Sequence, residues 1–270
     1  MRYITFALRH ARSQPGFAFI VILTFALTIG AATCVFSLFD AALLRPFPYP
    51  LSDRLVRLET HNAKDTGSGR DVSLYDFEDY RRRNRSFEDA AAYLSWSNPL
   101  TGAGPALSVR MTFASAGLFD VLRVKPVLGR TYSRDEDVHG GPVLKAVIGY
   151  GLWMQLFNGA EAAIGRTILL RGQAFEVVGV MPEGFAFPDR SQVWVPIMAR
   201  YAAYDDSWWK RRDARVHQVI ARLKDGITIE QANADAAAMS SVLRQEHPEQ
   251  NLDAHARVIS LRDAEAGEVR

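Results

Sequence analysis

The sequence holds 270 residues, 48% of them hydrophobic and 23% charged, with a formal net charge of +2. That is ample chain for a packed core, and so balanced a charge gives no reason to expect a polyanionic partner. A single cysteine, Cys34, excludes an internal disulfide framework and any multi-cysteine metal site.

In the opening segment, MRYITFALRHARSQPGF, residues Tyr3, Ile4, Ala7, Leu8 and Ala11 recur at helical spacing, with Arg2, Arg9 and Arg12 largely off that face. Residues 1–16 read as an interfacial helix on the cytoplasmic headgroups, bent into the membrane at Pro15-Gly16. The alternative is that they are only the positive flank of the next segment. From Phe17 to Phe39 no side chain is charged. At about 1.5 Å per residue that run reaches roughly 34 Å as a helix, enough to cross a hydrocarbon core. Asp40 closes the run, and Pro46, Pro48 and Pro50 forbid further helix, so the spanning segment is set at 17–44. Arginines without acids before it place the N-terminus in the cytoplasm and the rest outside. A cleaved signal peptide would have a shorter apolar run. Lipoprotein processing at Cys34 would have to follow Ala-Ala-Thr, a poor site.

Beyond the membrane the pattern is mixed. DRLVRLET (53–60) reads as a strand, and a polar stretch containing Gly67 and Gly69 follows. SLYDFEDYRRRNRSFEDAAAY (73–93) reads as one helix, capped by Ser73 with Asp76 three residues on. ALSVRMTFAS (106–115) alternates like a strand, and AGLFDVLRV (116–124) reads as a short helix. Residues 126–204 are rich in glycine, proline and short strands (KAVIGY, TILLRG, AFEVVGVM) and read as a β-rich insert. A strand (215–223), a helix (228–248) and a strand (254–261) then form a β-α-β unit within one sheet.

The search for chemistry finds little. There is no G-x-S-x-G, no H-E-x-x-H and no phosphate-binding P-loop. His10, His61, His139, His217, His247 and His255 never fall three to five apart, so no local zinc pair exists. DEDVHG (135–140) begins like a calcium loop at Asp135 and Asp137, with Gly140 in place, but its twelfth position is Ala146 rather than glutamate. RRRNR (81–85) reads as a solvated helix face rather than a nucleic-acid patch, because it lies outside the membrane. The expectation is therefore a chain that is not an enzyme, with no catalytic, cofactor-binding or metal residues. In EVVGVMPEGFAFPDRSQVWVPI (176–197), Gly184 suits positive φ, Pro182 and Pro188 remove backbone donors, and Phe185, Phe187 and Trp194 supply packing. A phosphate cradle needs open N–H groups, so the stretch reads as a packed corner.

From YITFALRHARSQPGFAFIVILTFALTIGAATCVFSLFDAALLRPFPYPLSDRLVRL onward, the chain resembles the MacB-like (FtsX-type) permeases of ABC transporters, closest to the duplicated orphan permeases. The pattern continues through SLYDFEDYRRRNRSFEDAAAY, GLFDVLRVKPVLGRTYSRDED, IGYGLWMQLFNG, AIGRTILLRGQAFEVVGVMPEGFAFP and VWVPI. The resemblance implies an α+β fold: one transmembrane helix, then a periplasmic domain with a split α/β porter-like part (52–125 and 205–262) and an inserted sabre-like part (126–204). It implies a non-catalytic permease subunit in the bacterial inner membrane, whose periplasmic domain couples ATP-driven motion to substrate displacement. Implied partners are a separate cytoplasmic ABC ATPase, a second permease copy or half, and membrane lipid, with no nucleic acid. The family pattern resumes with further membrane helices where this chain has its 263–270 tail, so an N-terminal fragment is expected. The alternative is a single-helix, membrane-anchored periplasmic binding or sensing module.

Overall fold

The computed structural model describes residues 15–39, 47–62, 71–139, 144–201, 209–251 and 253–268. The chain divides into two units, Met1–Phe47 with Val269–Arg270, and Pro48–Glu268.

The first unit contributes helix α1 (Pro15–Phe39). It is apolar on every side, and Phe17 (63%), Phe25 (63%) and Leu27 (66%) are exposed. The hydroxyls of Thr24, Thr28 and Thr33 donate to the carbonyls of Ile20, Thr24 and Ile29 at 2.7–2.8 Å, so they demand no outside partner. Among the described residues, no helix is long and apolar enough to cross a membrane. The arginine-bearing segment 1–14 and residues 40–46 lie outside the described residues.

The second unit runs β1 (Leu55–Asn62), α2 (Leu74–Arg83), β2 (Phe87–Thr101), β3 (Leu107–Ala114), α3 (Leu118–Leu122), β4 (Leu128–Gly129) and β5 (Lys145–Ile148). It continues with α4 (Tyr150–Phe157), β6 (Thr167–Leu170), β7 (Gln173–Val180), β8 (Val193–Pro196) and β9 (Gln218–Leu223). It closes with α5 (Ile229–Glu246), α6 (Pro248–Asn251), β10 (Ala254–Ser260) and α7 (Leu261–Glu268).

Among the described residues ten strands join one sheet in the order β10-β1-β9-β2-β3-β8-β5-β7-β4, with β6 bridging β2 and β7. The first four are antiparallel to their neighbours. With α2 between β1 and β2 and α5 between β9 and β10, they form a split β-α-β arrangement in which β1 and β9 lie at the centre. The expected β9-α5-β10 unit does fall within one sheet, with β1 inserted between its strands. Strands β2, β3, β8, β5, β7 and β6 close on themselves, since Leu100 and Thr101 of β2 pair with Leu170 and Leu169 of β6. Such closure leaves those strands no long free edge. Strand β2 belongs to both halves. It pairs with β9 over Phe87–Tyr93 and with β3 over Tyr93–Leu100, so it changes neighbours at Tyr93 without a break.

One face of this continuous sheet holds the main core. It runs from Val56, Leu58, Phe77, Ala236 and Leu243 in the split half to Met111, Ile148, Phe175 and Val195 in the ring. Ser73 caps α2 by accepting from the Asp76 N–H at 3.0 Å, and Thr228 caps α5 with Gln231 completing the box. Helix α5 also closes the sheet's edge: the N–H groups of Ala256 and Val258 on β10 donate to Ser240 Oγ (3.2 Å) and Asn233 Oδ1 (3.0 Å).

The expected helix over 73–93 is corrected. It stops at Arg83, Asn84 caps it, and β2 begins at Phe87. Ala90, Ala91 and Ala92 favour helix by propensity, but all three are at most 2% exposed within the paired strand, and tertiary packing wins. Helix α7 seats Leu261 and Ala264 at 0% exposure.

Candidate functional site

Two neighbouring cavities open where α2, the end of β3 and the turn after β8 meet. The larger, about 380 Å³, is walled by Leu74, Tyr75, Ile197, Met198 and Trp209, with Glu78, Asp137 and His139 among its polar groups. The smaller, about 140 Å³, shares Glu78, Ser115 and Asp137 with it and adds Arg81 and Arg134. The larger volume falls within the range of small-molecule pockets.

Asp137 lies deep between the two cavities. Its Oδ1 accepts from the Met198 N–H at 3.0 Å and its Oδ2 from the Ala116 N–H at 3.2 Å, so one carboxyl ties β8's exit to the start of α3. Burial pushes its pKa up to about 7, against the pull of those N–H groups, and Glu78 raises it further. Glu78 itself accepts from Arg81 at 2.7 Å. In the larger cavity Tyr75 and Trp209 meet at 5.7 Å between ring centroids, and His139 Nε2 donates to the Tyr201 carbonyl at 3.1 Å.

Helix α2 is braced from behind. Arg212 donates to Asp76 Oδ1 at 2.6 Å and Asp79 Oδ2 at 2.7 Å, and Asn251 Nδ2 donates to the same Asp76 oxygen at 3.0 Å. Asp76 and Arg212 are 3% and 7% exposed, so this is a buried ion pair. The run at 81–85 does present a solvated face, with Arg82 70% exposed, yet Arg83 makes a two-pronged bond to Glu246 that ties α2 to α5.

Within the corner at 176–197, Val195 joins the main core, whereas Phe185, Phe187 and Trp194 are buried outside that cluster. Gly184 has φ +81°. Trp194 is 0% exposed, donates from Nε1 to the Phe187 carbonyl at 2.7 Å, and lies 5.0 Å from Phe185 and 6.2 Å from Phe119 between centroids. Phe187 reaches Tyr93, where β2 changes neighbours, and Tyr49, at 5.2 Å and 6.1 Å. Beside the corner, a cavity of about 300 Å³ is lined by Gly149, Tyr150, Gly184, Arg190 and Gln192.

The structure scatters the histidines weighed in the sequence. His217 is buried, taking a hydrogen bond from Tyr201 Oη (2.8 Å) and giving one to the Val72 carbonyl (3.3 Å), while His139 lies in the groove and His10 falls outside the described residues. Asp135 lies in a short 3₁₀ turn, and Asp137 is turned to backbone N–H groups. Cys34 is exposed on α1. Among the described residues no group of three His, Cys, Asp or Glu is placed to hold a metal. Sequence reasoning missed Asp137 as a cavity group and Arg222 as a buried cation. A charge inside the apolar run QVIARL was the available signal for the second.

The model of the MacB-like periplasmic core domain matches residues 18–239. The chain belongs to this family. Among solved structures, this MacB-like chain resembles the periplasmic region of MacB from Actinobacillus actinomycetemcomitans, at 13% identity and TM-score 0.57, over 81% of this chain and 93% of that one. It also resembles a domain of a putative permease protein from Porphyromonas gingivalis, at 14% identity and TM-score 0.60, over 79% and 93%. A third is the extracellular domain of the noncanonic ABC-type transporter YknZ from Gram-positive bacteria, at 15% identity and TM-score 0.56, over 76% and 99%. At such identities the likeness shows the fold. No curated protein matches the sequence.

Proposed function

We propose that this chain is a non-catalytic permease-type subunit of an ABC export or mechanotransmission system, anchored in a bacterial inner membrane by α1, with the Pro48–Glu268 unit outside. The observation that carries this reading is the family match across 18–239. Residues 52–125 and 205–262 act as the porter-like part and 126–204 as the sabre-like part. A separate cytoplasmic ATPase drives the cycle, a second permease copy or half pairs with this one, and the outer unit displaces substrate. Transmitting motion needs stiff elements that move as bodies. Strand β2, unbroken over 15 residues and hydrogen-bonded into both halves, is such an element.

Alkaline phosphatase fused after residue 200 is expected to be active and green fluorescent protein at that point dark, by the positive-inside rule. The purified chain is expected to hydrolyse no ATP. Robust turnover, or the reverse fusion pattern, overturns the reading. The roughly 380 Å³ groove favours a second reading, an anchored binding or sensing module. In that case a small molecule stabilises the wild-type protein and fails to stabilise Trp209→Ala.

A further inference from the structure

Three arginines meet beside the start of the outer unit. Arg222, on β9, is 1% exposed; its Nε donates to the Val121 carbonyl at 2.8 Å and its Nη1 to the Leu51 carbonyl at 2.9 Å, while Nη2 is buried with no hydrogen-bond partner among the described residues. A buried guanidinium nitrogen left unpaired is costly and calls for an acceptor. The charges facing Arg222 are Arg123, Glu88, Arg54 and Asp53. Burial holds its pKa below the usual arginine range, and Arg123 adds to the effect. Arg54 and Arg123 both donate to Glu88, at 3.1 Å and 2.9 Å, and stay partly accessible, with side chains 18% and 37% exposed. Two guanidinium groups therefore share the Glu88 carboxylate, and the third, that of Arg222, is held by backbone carbonyls beside them. Asp225 stands 3.8 Å from Arg54 with its side chain fully exposed (100%), where water screens it.

We propose that Arg54, Arg123 and Arg222 form a binding site for a phosphate group. Glu88 is 45% exposed at its side chain, so its carboxylate stands next to water. A phosphate in its place offers three acceptor oxygens, enough to keep the bonds from Arg54 and Arg123 and to give Arg222 Nη2 a partner. Guanidinium groups match phosphate geometry with paired, charge-assisted bonds. Leu51, whose carbonyl Arg222 holds, follows the apolar helix α1 in sequence with only residues 40–50 between. A lipid headgroup is therefore one source of the phosphate, and a free phosphate is the other. The lipid source rests on the membrane reading above; the free source does not.

The test uses the full chain in two arms. In the first, detergent-solubilised protein is melted in inorganic phosphate and in chloride at matched ionic strength. In the second, protein held in phosphatidylcholine nanodiscs doped with phosphatidylglycerol is released, and the retained anionic lipid is counted by native mass spectrometry. Arg123→Gln removes one charge-assisted partner and is expected to weaken binding about tenfold. Arg123→Lys restores part of the response, and Arg171→Gln, at a distant turn, leaves it unchanged. A phosphate-dependent rise in melting temperature that Arg123→Gln loses assigns a free phosphate. Retention of anionic lipid that Arg123→Gln loses, with no response in solution, assigns the headgroup. If the membrane reading fails, only the soluble arm responds. If wild type and Arg123→Gln behave alike in both arms, the proposal is overturned.

Discussion

Trp194→Ala tests whether the corner at 176–197 serves packing or ligand capture. The indole is 0% exposed, lies against Phe119 and Phe185, and satisfies the Phe187 carbonyl through Nε1. Truncating a buried tryptophan costs about 3–5 kcal/mol, through lost transfer energy and the cavity left behind. A domain's whole stability is about 5–15 kcal/mol, so the loss is a large share. For a unit of this size each kcal/mol lowers the melting temperature by about 2–4 °C, which predicts a drop of roughly 6–20 °C. Trp194→Phe keeps most of the apolar volume but leaves the Phe187 carbonyl unpaired, so a smaller loss of about 1–3 kcal/mol is expected. Circular dichroism melts and timed proteolysis of the full chain read both variants. A Trp194→Ala protein that melts within about 2 °C of wild type would show that the indole is not part of the core, and the packing argument would fail with it.

Gly184 has φ +81° and open space where a Cβ would sit, so Gly184→Val is expected to cost about 1–3 kcal/mol through the backbone alone, and Gly184→Asn less. The same melts would show no difference between the two if the strain argument were wrong. Asp76→Ala strands the buried Arg212 and is expected to lose about 3–5 kcal/mol; Asp76→Leu combined with Arg212→Met should be less destabilised than Asp76→Ala, and additive losses would refute the pairing. His217 has its pKa lowered to about 4, chiefly by burial, so it contributes up to about 3 kcal/mol of stability above pH 6.5 that is lost as pH falls through 4. Asp137, raised to about 7, acts with the opposite sign: its contribution is fully present below its unfolded value of 3.8 and is lost as pH rises towards 7. Between pH 4 and 6.5 the two oppose each other, so denaturant titrations should show stability rising with pH in Asp137→Asn and falling in His217→Gln; equal slopes in the two variants would contradict the assignment.

Local signals carried the helix starts and most strands. Ser73 with Asp76 and Thr228 with Gln231 are caps written within four residues, and both cap where the spacing says. The helix end was not legible, because three alanines in a row suit a helix until β9 is known to pair with them. Ring closure is a pairing of Leu100 with Leu170, seventy positions away, and nothing near either residue announces it. Gly184 advertised its positive φ, whereas Asp189 and Arg190 adopt φ 51° and 60° in the same corner without a glycine to mark them. The groove gathers α2, the end of β3, the loop at Asp137 and the turn after β8, so its carboxyl acquires a role only once four distant stretches are folded together.

The helix that shields β10 has a consequence for crowding. An open edge of seven residues would let one copy's sheet run on into the next, which is how extended chains seed fibres. Ser240 and Asn233 already occupy two donors at the middle of that edge, and the other end of the sheet is the two-residue β4. Copies of this unit can therefore be held at high density side by side, and any assembly among them has to be written in side-chain chemistry rather than in shared backbone pairing.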